Sequence, residues 1–90
     1  MDLLLGDVHS LKEKRSVVRP VVAALAALGV SAAEADHLEL HRRALVGVAV
    51  VAADAGHVRE VLASCERLVA DRPEVEVLSA HTQLYKEGDD

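Results

Sequence analysis

Ser10-Leu11-Lys12-Glu13-Lys14-Arg15 sets the architecture, because it opens a helix directly after a short apolar run. Ser10 and Glu13 have capping-box spacing, in which each side chain satisfies the other residue's free backbone N–H, so the spacing predicts a helix from Leu11. Lys12, Lys14 and Arg15 place cations in a first turn whose dipole favours anions. A local rule broken in this way marks either a site or a compensating partner.

On the amino-terminal side, Leu3, Leu4 and Leu5 are ended by Gly6-Asp7 and read as a short, fully buried strand. On the other side, Leu11, Val18, Val21, Val22, Leu25 and Leu28 fall at helical spacing, and Gly29 suits the left-handed residue after the helix. Pro20 removes the bond to the Ser16 carbonyl, which predicts a kink without a break. Val30 to Ala35 reads as a second strand of small residues, and Asp36 to Arg43 as its frayed end or a turn.

Ala44 to Ala53 is the longest apolar run, and its valines predict a strand buried on both faces. Gly47 within it suggests a bulge or a close backbone approach. Asp54 is a good N-cap for a second helix carrying Val58, Val61, Leu62, Cys65, Leu68 and Val69 on one stripe, stopped by Arg72-Pro73. Val75 and Val77 alternate with Glu74 and Glu76, then the apolar phase shifts to Leu78, Ala80 and Leu84, which implies a bulge near Leu78. Lys86 to Asp90 is expected to be a disordered polar tail.

The order βαββαβ predicts one α+β domain over residues 1–85. Its expected form is a ferredoxin-like split βαβ sandwich, a four-stranded antiparallel sheet with two helices on one face. The other face would be free for association. With 90 residues, 51% hydrophobic, the chain suits a single core. Phe and Trp are absent and Tyr85 is the one aromatic residue, so aliphatic side chains supply the buried area.

The net charge of -5 argues against coating nucleic acid by charge alone. One cysteine, Cys65, has no internal disulfide partner and fits a reducing compartment. No apolar run approaches the roughly 20 residues of a membrane span, and Met1 to Leu5 lacks a signal peptide's basic region. The expected location is cytoplasmic.

Five histidines, His9, His37, His41, His57 and His81, show no convergent zinc pattern, so no metal and no cofactor are expected. Cys65 lies on an apolar stripe and reads as a buried thiol. Asp7 with His9 and Asp36 with His37 read as turn and cap residues, so no catalytic residue is assigned. The remaining candidate is the basic cluster Lys12, Lys14, Arg15 and Arg19, set against Glu13 in an otherwise acidic chain. It reads either as a solvated helix face, with Arg15 and Arg19 mildly repulsive neighbours, or as a site that binds an anion, RNA or a partner, with Asp36, His37, Arg42 and Arg43 as accessory positions. Without aromatic residues for base stacking, RNA contacts would go to the backbone.

The residues Ser10-Leu11-Lys12-Glu13-Lys14-Arg15, Asp36-His37, Arg43-Ala44-Leu45-Val46-Gly47-Val48-Ala49-Val50-Val51, Glu66-Arg67 and Arg72-Pro73-Glu74-Val75-Glu76 together resemble the YlxP-like family, domain of unknown function 503. The resemblance runs from Asp2 to about Tyr85. It implies a small bacterial cytoplasmic protein with a ferredoxin-like fold and no established activity. Genes of the family commonly lie beside those for translation initiation and ribosome maturation, an association and not a mechanism. The family pattern usually begins with further strand ahead of Asp2, which leads to the expectation that Met1 is a late start and that an upstream extension restores stability. Leu38-Glu39 stands where relatives often carry Gln-Asp, which weakens a polar role for that turn.

The expected function is therefore a binding protein, not an enzyme, that docks on ribosomal RNA or a translation-related protein through the basic helix start. The competing expectation is a homodimer or scaffold module pairing through its open sheet face. A small enzyme, the third, requires His37 or Asp36 to share one cleft with the basic cluster.

Overall fold

The computed structural model describes residues 1–37 and 39–85; the polar tail expected at 86–90 lies outside the described residues. In chain order the elements are β1 (Asp2–Leu5), α1 (Leu11–Ala26), β2 (Ser31–Asp36), β3 (Arg43–Ala49), α2 (Ala55–Ala70) and β4 (Val75–Ser79). The strands form one sheet in the order β2-β3-β1-β4, with every neighbouring pair antiparallel. Both helices cover one face, which makes the fold an α+β ferredoxin-like sandwich.

β1 is central but not buried on both faces. Leu3 and Leu5 are fully buried beneath the helices, whereas Asp2 and Leu4, on the open face, are only half-buried. β3 alternates in the same way, with Ala44 and Val46 buried. It ends at Ala49, where the first residue of β2, Ser31, pairs with it. The predicted strand through Ala53 was therefore too long and too buried. An apolar run can continue past the point where pairing partners stop.

Two bulges interrupt the ladders. Between β1 and β4 the register skips Leu78, as the phase shift predicted. Between β2 and β3 it shifts around Ala35, with Glu34 opposite Val46 and Asp36 opposite Leu45. Gly47 itself sits in regular pairing with Ala33, and a Cβ there would meet Ala35 at an ordinary 3.7 Å. Gly47 is therefore neither a bulge nor a close approach.

The helix signals are realised locally. Asp54 accepts a hydrogen bond from the Gly56 N–H at 2.9 Å and caps α2. Helix α1 runs unbroken through Pro20, and Gly29 follows it with φ +86°. In α2 the fully inward positions are Cys65 and Val69, and burial pushes the Cys65 thiol up from its ordinary value.

Candidate functional site

The amino-terminal end of α1 is fixed by its cap. The Glu13 N–H donates to Ser10 Oγ at 3.1 Å, as the box spacing requires. The return bond differs, because the Glu13 carboxylate accepts from the His9 N–H at 3.2 Å and not from Ser10. This arrangement uses donors that a free anion would need, so an anion site here rests on side chains more than on helix N–H groups.

The helix phase then separates the cations. Leu11, Lys14, Val18, Val21 and Leu25 follow alternating three- and four-residue steps, which is the stripe that faces the sheet. Lys14 consequently points inward and is 2% exposed. Its Nζ lies 2.7 Å from Glu34 Oε2 on β2 and donates to the His37 carbonyl at 2.5 Å. The Glu34 oxygen is buried and accepts no aligned hydrogen bond among the described residues, so the contact is an ion pair more than a directed bond. A cation so placed ties α1 to the far end of β2, and it does not belong to the exposed surface.

His37 needs such a tie. Its φ of +61° lies in the left-handed region, which costs a non-glycine residue on the order of 1–2 kcal/mol. Asp36 Oδ1 accepts the His37 N–H at 2.8 Å and Lys14 holds its carbonyl, so both backbone groups are fixed. The imidazole turns to the open face, where Nε2 lies 3.7 Å from Asp2 Oδ1.

Asp2 also pairs with Arg43 on β3. Arg43 Nη2 donates to Oδ2 at 2.5 Å and Nε to Oδ1 at 3.2 Å, a two-pronged geometry. The register that sets Asp2 opposite Leu45 and Leu4 opposite Arg43 makes this a diagonal pair on one face. The Arg43 hydrogen bond holds the Asp2 carboxyl below its ordinary 3.8. Arg42 is also engaged, donating from Nε to the carbonyls of Leu5 at 3.2 Å and Gly6 at 2.9 Å. Arg42 and Arg43 therefore bond the protein itself and do not lengthen a free basic surface.

Lys12, Arg15 and Arg19 are exposed. At i, i+3 and i+7 they share one outward stripe about 10 Å long. Among the described residues none of the three has an ion pair. The four expected cations are thus one buried strut and three surface charges. His37 joins the strut through its carbonyl, and its ring does not turn toward Lys12, Arg15 or Arg19.

Sequence reasoning missed the Lys14–Glu34 pair, although the signal was present. Lys14 fills the one gap in the apolar stripe of α1, and Glu34 continues the inward alternation of Val30 and Ala32. The Asp2–Arg43 pair had no such signal, because it depends on strand register. Among the described residues no three His, Cys, Asp or Glu side chains gather to hold a metal, and no helix is long and apolar enough to cross a membrane.

Against known families, residues 1–82 match the one described as a protein of unknown function (DUF503). No curated protein matches the chain.

Proposed function

The chain belongs to the DUF503 family, described as of unknown function, and we propose that it is, as the resemblance implies, a bacterial cytoplasmic protein, acting as a binding module and not an enzyme. It docks on the small ribosomal subunit, or its RNA, through Lys12, Arg15 and Arg19. The observation that carries this reading is that these three cations lie exposed along one stripe of α1 with no acidic partner among the described residues.

The net charge of -5 opposes RNA binding at long range. At physiological salt, charges beyond roughly 8 Å are largely screened, so a local stripe governs contact. Tyr85 is the one residue among Phe, Trp and Tyr, and the His37 ring on the open face is turned to Asp2, so base stacking contributes little. The contacts therefore go to phosphates, and they position the protein without reading sequence.

The test is co-sedimentation with small ribosomal subunits at low salt. Wild-type chain is expected in the subunit fraction, and Lys12→Glu with Arg15→Glu and Arg19→Glu is expected to remain in the supernatant. Absence of the wild type from the subunit fraction overturns the proposal.

One observation favours a second reading, a homodimer through the open sheet face. The bulged Leu78 projects there and is 45% exposed. A dimer whose size is independent of salt, with no RNA affinity, would select that reading.

A further inference from the structure

Among the described residues β2 is an outermost strand of the sheet, with β3 its one neighbour. In an antiparallel sheet, successive residues turn their N–H and C=O alternately to one side and the other. The Leu5 N–H donates to the Arg42 carbonyl at 2.9 Å and the Val46 N–H to the Met1 carbonyl at 2.9 Å, so Arg42 and Val46 bond toward β1. Gly47 and Ala49 therefore bond toward β2, where they pair with Ala33 and Ser31. Ala32 and Glu34 then aim their backbone groups away from β3, at the outer edge.

The cation stripe overhangs this edge. α1 lies over β2, where Lys14 meets Glu34. One flank of the helix, with Val17 and Ala24, is half-buried, as contact with α2 requires, and the other, with Arg15 and Arg19, is exposed. The exposed flank looks outward, past β2. β1 and β2 both run antiparallel to β3, so α1, which joins them, runs against β2. From the Lys14–Glu34 pair, two residues back along β2 span about 7 Å, or roughly four to five residues on along α1, which sets Arg19 level with Ala32. Val22, half-buried on the same flank, adds an apolar wall.

A pairing strand is a poor occupant of this edge. The inward charge of Glu34 and the register shift around Ala35 are devices that blunt a sheet edge, and they leave one regular donor and acceptor, both on Ala32. A donor beside an acceptor is what the base-pairing edge of an unpaired nucleotide presents. Resting on the docking reading above, we infer that the site takes single-stranded RNA. Its phosphates lie on Lys12, Arg15 and Arg19, and one base lies edge-on to β2, donating to the Ala32 carbonyl and accepting from the Ala32 N–H. Every base carries a donor beside an acceptor on that edge, so the site selects unpaired nucleotides and not a sequence. A base in a duplex has the edge already engaged.

The experiment compares a uridine oligomer with one of the same length built from N3-methyluridine, which carries equal charge but a blocked base edge. The unmodified oligomer is expected to bind at least about tenfold more tightly. It is also expected to slow exchange of the Ala32 amide, while that of Ala33, already bonded to Gly47, changes little. Ala32→Pro removes the outward N–H without breaking the ladder, and is expected to reduce the preference, with thermal unfolding confirming that the variant is folded. Equal, salt-dependent binding of the two oligomers overturns the base seat and leaves docking through the cations standing. An unaltered Ala32 amide, an undiminished preference in folded Ala32→Pro, or protection of that amide by an acidic peptide but not by RNA overturns it as well. If neither oligomer binds but small subunits do, this inference alone falls; if the subunits fail too, both fall.

Discussion

Replacing Lys14 with Met should destabilise the protein severely, and replacing its partner as well should cost far less than the two single losses combined. Lys14 is 2% exposed, and Glu34, which keeps 19% of its side-chain exposure, has the ammonium 2.7 Å away. Removing one member of a buried pair costs about 3–5 kcal/mol, because the other charge is left uncompensated. Glu34 retains some solvent, so the low end applies, at roughly 3 kcal/mol. For a domain of this size that corresponds to a fall in Tm of about 12–24 °C. Glu34→Leu alone should cost at least as much, because the stranded charge is then the fully buried lysine. In the double variant no buried charge remains and the new side chains can pack. What is left is the His37 carbonyl without its charged donor, about 1.5–3 kcal/mol. Urea unfolding of the four proteins yields a coupling energy of at least about 2 kcal/mol. A Lys14→Met variant within about 0.5 kcal/mol of wild type would show the lysine to be an ordinary surface residue and refute the reasoning.

Two further outcomes follow from the same contacts. The Asp2 carboxyl is lowered in the folded state by the Arg43 hydrogen bond, so its stabilisation is present above its ordinary 3.8 and is lost as pH falls through the lower folded value. Urea unfolding should therefore show Asp2→Asn less stable than wild type at pH 7 and the two converging in strong acid; a constant gap across that range would count against the pairing. Pro20 lies exposed within an unbroken helix, so Pro20→Ala should restore the bond to the Ser16 carbonyl and raise stability by about 1–2 kcal/mol, read as an increase in Tm.

The elements that the sequence revealed were those written in local chemistry. Ser10, Asp54 and Gly29 announce helix ends by what their side chains or backbones can do, and the shift from Val77 to Leu78 announces a bulge by a change of face. The end of β3 was not legible, because Val50 to Ala53 are as apolar as the strand itself and only the reach of β2 decides where pairing stops. In the candidate site, the helix start and its exposed cations could be read directly. Lys14 was misplaced for a physical reason: hydrophobic periodicity excludes a lysine from the stripe, yet a lysine can occupy it when an acid waits at the facing strand position. The diagonal Asp2–Arg43 pair and the left-handed His37 come from register and loop closure, which no local pattern encodes.

That Lys12, Arg15 and Arg19 meet phosphates is tested most directly by the salt dependence of binding to small-subunit ribosomal RNA. Each phosphate contact contributes about -0.7 to -0.9 to the slope of log K against log salt, so three contacts give a slope of about -2 to -3. Alanine at any one of the three should bring the slope closer to zero by about 0.7–0.9. A slope near zero for the wild type, or one that these substitutions leave unchanged, would contradict it.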